Sequence, residues 1–396
     1  MRKRIVIVGG GTGGTMLANI LAHKLHREII NNKVELLMIS QTAAHYYKPA
    51  FMYVAFNAFF KHELMRAQQS LLRPEIKFVV DKAEGVDFKQ RRLFTASGNN
   101  YDYDFLVFAT GCLPWTEKIP GLAEAGDHFY QYQAARRLAD KLATIEKGRI
   151  FITVSFPQTP NVPHQCGIAP IETTLMLDEY LRQRGVRKQI EIVYTYPTIS
   201  QLLRNCLFLQ RPTGEALPEI FAARGIKHQR GFTLDQVDAE RRIAYSAEGE
   251  EQPFDILMAT PPIRAVEMVR NTGLSDIANG EGWLPTDPQT LQVYDQQGVY
   301  VIGDTVDLPI SKAGGSCHNQ APVIADNIVA EMQLGHPVRH YDGKVQAVAQ
   351  FGLSSGMPLV YDYRHDVVPT PATKLGGMLR NGVNRGLYWA AVRGLI

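Results

Sequence analysis

Ile5-Val6-Ile7-Val8-Gly9-Gly10-Gly11-Thr12-Gly13-Gly14, at the head of the chain, decides the fold. Four β-branched residues in a row make a short buried strand, and the glycines end it at once. Beyond them Met16, Leu17, Ile20, Leu21 and Leu25 recur at helical spacing, and Val34-Glu35-Leu36-Leu37-Met38-Ile39 reads as a second buried strand. Gly9, Gly11 and Gly14 thus stand in the strand-to-helix context that a dinucleotide requires. Gly9 permits a tight turn, Gly11 lets backbone approach a pyrophosphate, and Gly14 lets the helix pack on the strand. From Thr12 onward the helix start turns free N–H groups and a positive dipole end to the phosphates. An acidic residue commonly closes the second strand and holds a ribose, but here Ser40 and Gln41 stand there. Serine bonds a ribose less strongly than a carboxylate, and no arginine beside it favours a 2′-phosphate, so an adenine dinucleotide is expected.

Two later stretches extend the pattern. Val299-Tyr300-Val301-Ile302-Gly303-Asp304 is a short strand ending in Gly-Asp, followed by Lys312-Ala313-Gly314-Gly315 and a helix through residues 321–332. Phe105-Leu106-Val107-Phe108 leads into Ala109-Thr110-Gly111, and residues 254–262 repeat that character in a second unit. The second unit also has its own opening strand, Arg149-Ile150-Phe151-Ile152-Thr153-Val154. That strand runs into Ser155-Phe156-Pro157, with no glycine before Cys166 and with prolines at 157, 160 and 163. A nicotinamide pyrophosphate needs glycines at such a junction, because side chains block its approach. One nucleotide site is announced, and a thiol stands where a second would be.

Composition narrows the classes. The 396 residues are 45% hydrophobic and 20% charged, ordinary for a globular protein with more than one domain. A net charge of +3 without a basic, aromatic-rich run argues against nucleic acid. Arg2, Lys3 and Arg4 precede only a short strand, so no secretory leader is expected, and no 18-residue apolar run marks a membrane span. Four scattered cysteines without a CxxC pair predict neither a disulfide framework nor a metal.

Together these elements resemble the sulfide:quinone oxidoreductases, within the larger group of disulfide-reductase-like flavoproteins that also includes flavocytochrome c sulfide dehydrogenases and type II NADH dehydrogenases. The likeness rests on Gly9 to Gly14, His45-Tyr46-Tyr47-Lys48-Pro49, Ala109-Thr110-Gly111, Cys166-Gly167-Ile168-Ala169-Pro170-Ile171-Glu172 with its helix, Ala259-Thr260-Pro261-Pro262, and Gly303-Asp304 through Lys312. It implies FAD as cofactor. Gly9, Gly11, Thr12, Gly14, Ser40, Thr110, Gly111, Gly303, Asp304, Lys312 and Ala313 are then the cofactor-binding candidates, with Asp304 on the ribityl chain and Lys312 near the flavin.

The resemblance also implies sulfur chemistry at thiols. Cys166 matches the family's cysteine before Ala-Pro-x-Glu, and the helix after it is expected to lower its pKa. Glu172 is a candidate acid/base or helix cap, and His164 a candidate proton donor or a loop residue. The family's second cysteine falls after a Tyr-Asp-Gly element, but the stretch after Tyr341-Asp342-Gly343 holds none. Cys317 is the substitute candidate, as a partner of Cys166 or as core. Cys112 and Cys206 read as structural.

From Val367 to Ile396 there is no Asp or Glu, while Lys374, Arg380, Arg385 and Arg393 interleave with Leu375, Met378, Leu379, Val383, Leu387, Tyr388, Trp389, Val392 and Leu395. Such a segment fits a helix lying in a membrane surface, or one packed on the protein itself. Aromatic residues Tyr46, Tyr47, Phe51, Tyr53, Phe56, Phe59 and Phe60, with Phe351, Tyr361 and Tyr363, are quinone-pocket candidates or core. The expected fold is α/β, with two Rossmann-like dinucleotide-binding domains (a two-dinucleotide-fold flavoprotein) and a C-terminal membrane-contacting segment. Its parts are residues 1–112 and 289–340 for FAD, 113–288 for the second domain, and 341–396 for the tail. The expected activity is oxidation of sulfide to polysulfide with electron transfer to quinone, on the cytoplasmic face of a prokaryotic inner membrane, by a peripheral protein that admits a homo-oligomer. An NADH:quinone oxidoreductase, or a flavin-bearing subunit of a sulfur-transfer complex, stays open.

Overall fold

The structure is a computed structural model that describes residues 2–155, 164–197, 217–274, 281–308, 310–365 and 370–395. The proline-bearing stretch 156–163 and Cys206 lie outside the described residues.

Two five-stranded parallel sheets organise the chain. In the first, the order is Val299–Val301, Phe105–Phe108, Lys3–Val8, Val34–Ser40, Lys77–Val80. Every residue of Val34–Ser40 is buried, as expected of a parallel strand covered on both faces. The second sheet repeats the plan with Gly126–Asp127, Ile256–Thr260, Gly148–Val154, Ile190–Tyr196 and Lys227–Arg230. Each half also carries a three-stranded antiparallel meander: residues 83–102, leading into Phe105–Phe108, and residues 234–253, leading into Ile256–Thr260.

In both sheets the parallel strands point their C-terminal ends one way, and ligands of open α/β sheets sit at those ends. Helix Thr12–Lys24 follows the glycine turn and packs against helix Gly314–Leu334. The latter begins at two glycines of poor helix propensity. A Cβ at Gly315 would collide with the Gln346 carbonyl oxygen, so close approach of the Val345–Gln350 strand requires glycine there. The main core runs from Ile5 to Val392, so the C-terminal segment is built into the body.

Candidate functional site

Residues of the first sheet, of the segments around Cys166 and Ile263, and of the tail line one cavity of about 1000 Å³, large enough for a dinucleotide. At one end lie Gly9, Gly11, Thr12 and Ser40; Thr110, Gly111, Gly303, Asp304, Lys312 and Ala313 continue the wall. Gly9 has φ +114, and a Cβ there would strike the Ala109 carbonyl. Gly14 does not line the cavity; a Cβ on it would hit the Gly9 carbonyl, so it serves the helix–strand packing. Gly11 and Gly111 differ, since a Cβ on either would meet no protein atom within 4 Å. That space along the wall fits a bound cofactor. Helices Thr12–Lys24 and Gly314–Leu334 both start there with no side-chain cap and no acid in the first turn, which leaves amides for an anion. Those features fit FAD, which Gly11 to Gly13, Gly111, Asp304 and Lys312 would help to hold.

The thiols fall at different places. Cys317 is 4% exposed, and its sulfur lies 3.2 Å from where a Cβ of Gly13 would be and 3.1 Å from that of Gly303. It belongs to the phosphate-loop end, and burial with the nearby Asp304 pushes its thiol up to about 12. Cys166 lies at the other end beside Glu172, Ser311 and Tyr130. Its sulfur accepts from the N–H groups of Ile168 and Ala169 at the start of helix Ala169–Gln183, and from the Ser311 hydroxyl. The expected lowering of its pKa does not follow. Burial, and then the Glu172 carboxylate, outweigh those donors and raise it.

Cys112, read from sequence as structural, opens a short strand paired with Ile263–Ala265 and lines the same cavity. Its sulfur is 3.6 Å from Asp304 Oδ2. Cys112 and Cys166 both lie close enough to the Tyr130 hydroxyl to oppose its ionisation. No sequence signal beyond its place after Ala-Thr-Gly marks that convergence.

Glu172 is 5% exposed. Its Oε1 accepts from the Gln350 N–H at 2.6 Å, and burial raises its pKa although Arg380 opposes this. Burial thus favours the protonated form of this carboxyl, close to Cys166. The backbone of His164-Gln165 pairs with Ser311-Lys312; the His164 side chain lies outside the described part.

The tail departs from a simple surface helix. Leu375, Met378, Leu379, Leu387 and Leu395 are exposed, but Tyr388 is buried, which corrects its reading as an interfacial residue. Its hydroxyl lies 2.6 Å from His45 Nε2 and 2.9 Å from Thr12 Oγ1, and its ring stacks 3.9 Å from that of Tyr47. Burial lowers His45 to about 4, so the imidazole is neutral. Tyr47 donates to Asn384 Oδ1 at 2.8 Å. Of the aromatic candidates, Tyr46, Tyr47 and Tyr361 line the cavity with Arg380 and Leu387. Phe51, Tyr53, Phe56 and Phe59 are core, while Phe60 and Tyr363 are exposed.

Residues 3–153 match the family model described as pyridine nucleotide-disulphide oxidoreductase. The mitochondrial sulfide:quinone oxidoreductase of Dictyostelium discoideum is 26% identical over 86% of this chain and 73% of its own length. Among solved structures, the sulfide:quinone oxidoreductase of Aquifex aeolicus superposes with a TM-score of 0.84 at 21% identity, covering 99% of this chain and 92% of that one. NDH2 from Plasmodium falciparum in complex with NADH gives 0.71 at 11% identity, covering 99% and 98%. With the glycine cradle, these findings give the chain a two-dinucleotide fold whose site fits FAD, and make it similar to the sulfide:quinone oxidoreductases.

Proposed function

We propose that this protein oxidises sulfide and delivers the electrons to a membrane quinone. The observation that carries the reading is Cys166, placed with Glu172 in the wall of the cofactor cavity, where the first sheet's glycine turn has no counterpart in the second sheet's sequence. Bound FAD supplies the two-electron exchange between a thiol and a quinone.

The chain's own residues divide the remaining work. Cys166 takes the substrate sulfur: sulfide attacks an oxidised sulfur on Cys166, the new S–S bond makes a persulfide there, and the other thiol leaves. Cys112 is the better candidate for that second thiol, because it shares Tyr130 with Cys166, whereas Cys317 is held under the glycine turn. Glu172, buried and with its pKa raised, exchanges a proton with the sulfur. Tyr47, Tyr361, Leu387 and Arg380 offer an apolar wall with one cation for a quinone ring. Among the described residues no helix is long and apolar enough to cross a membrane. The exposed Leu375, Met378 and Leu379 with Lys374 instead suit contact with a bilayer surface, here assigned to the cytoplasmic face of a prokaryotic inner membrane.

Anaerobic mixing tests the reading. Sulfide is expected to bleach the flavin band of the purified protein and NADH to leave it unchanged. Bleaching by NADH alone would replace the proposal with an NADH:quinone oxidoreductase.

A further inference from the structure

Lys312 is 8% exposed and lines the cavity from the short strand Ser311-Lys312 that pairs with His164-Gln165. Its Nζ donates to the carbonyl oxygens of Asp304 at 2.6 Å and Val306 at 2.8 Å. An ammonium has three donors, and the remaining side is met by an indole: Nζ lies 3.8 Å from the Trp283 ring centroid. Trp283 is 3% exposed, and its Nε1–H donates to Glu281 Oε2 at 2.8 Å. Glu281 is itself buried, with its other oxygen 3.7 Å from Lys118 Nζ.

A ring that donates to a carboxylate becomes richer in electrons, and its face attracts a cation more strongly. Neither residue contributes an atom to the cavity wall. We propose that Trp283 and Glu281 are positioning residues which keep Lys312 charged and aimed, making it a fixed cation beside the bound flavin. The inference rests on the FAD site and deepens it: Lys312 stabilises the negative charge of the reduced ring, and the indole–carboxylate pair sets how firmly Lys312 holds its proton.

The surroundings are finely balanced. Burial works against the ammonium, while Cys112, Asp304, Asp307 and Glu281 favour it, and Lys118 stands behind Glu281. The outcome brings Lys312 down to about 8. Near neutrality it is charged, yet close enough to titration for the loss of one partner to show.

The test is the flavin midpoint potential of the full-length holoprotein, measured against redox dyes from neutral to alkaline pH with neither sulfide nor quinone present. In the unaltered protein, the potential is expected to fall more steeply with pH around about 8, where reduction also draws a proton onto Lys312. Lys312→Met removes that steepening. Trp283→Leu moves it down by at least about one pH unit, a tenfold weaker hold on the proton, and Trp283→Phe, which keeps a ring but loses the Glu281 bond, moves it less. A flavin-loaded Trp283→Leu protein with the steepening unmoved overturns the proposal. If that variant does not retain flavin, Trp283→Phe decides, and no movement there overturns it equally. Should sulfide fail to reduce the unaltered protein while the steepening still moves, the sulfide reading falls and the role of Trp283 stands.

Discussion

The two parallel sheets share a strand plan and a preceding meander, yet their first strands end in opposite ways. Lys3–Val8 runs into glycines and an uncapped helix, and a Cβ on Gly11 would meet no protein atom within 4 Å. Gly148–Val154 runs into Ser155, and the next described helix, Ala169–Gln183, presents its first amides to Cys166. The same architectural corner leaves open space in one half and holds a sulfur atom in the other. A helix N-terminus sets a favourable potential; what stands in it is decided by the residues just before the helix.

The sharpest way to break this contrast is to remove the sulfur. Cys166→Ser is expected to cut sulfide-dependent flavin reduction in stopped flow by about a thousandfold or more, with dithionite reduction intact. Retention of the rate would make the second corner inert. Next in size, Gly11→Leu puts a side chain into the first corner, where a Cβ would meet no protein atom within 4 Å. Flavin affinity, read by fluorescence titration, should fall by about a hundredfold, or some 3 kcal/mol, while circular dichroism stays unchanged.

Two further changes sharpen the comparison. Cys112→Ser should slow sulfide oxidation by about tenfold, and Cys317→Ser should leave its rate within about a factor of two, because that sulfur belongs to the nucleotide end. Reversal of this order in steady-state assays would move the second thiol back to Cys317. Glu172→Gln is expected to have the smallest effect, on stability against pH. Burial lets folded Glu172 hold a proton that the unfolded chain has released. Stability is therefore complete below the ordinary carboxylate range and declines as pH rises through the folded value. Thermal melts of the glutamine variant should show a shallower decline on the alkaline side.

Much of the nucleotide end was readable from sequence, because turn, helix start and strand lie within a few residues of one another. Gly9, Gly11, Gly303 and Asp304 were found through local spacing, and each lines the cavity. The thiol end was harder. Cys112 meets Asp304 across 192 positions, and no periodicity reports a contact made by sheet closure. Likewise, His45 reaches Tyr388 over 343 residues, so the apolar pattern of the tail showed amphipathicity but not which residues turn inward. Trp283 gave no sign at all, since the cation over its ring, Lys312, comes from a separate segment.

The bond between Tyr388 and Thr12 changes how shortened forms of this protein should be understood. Deleting the last dozen residues would do more than detach an anchor. It would strip partners from His45 and Thr12, remove the carbonyl of Val392 that Asn19 Nδ2 reaches at 2.8 Å, and unroof Tyr47. A truncated enzyme that loses its yellow colour would therefore report damage at the opposite pole of the chain, and not a requirement for lipid.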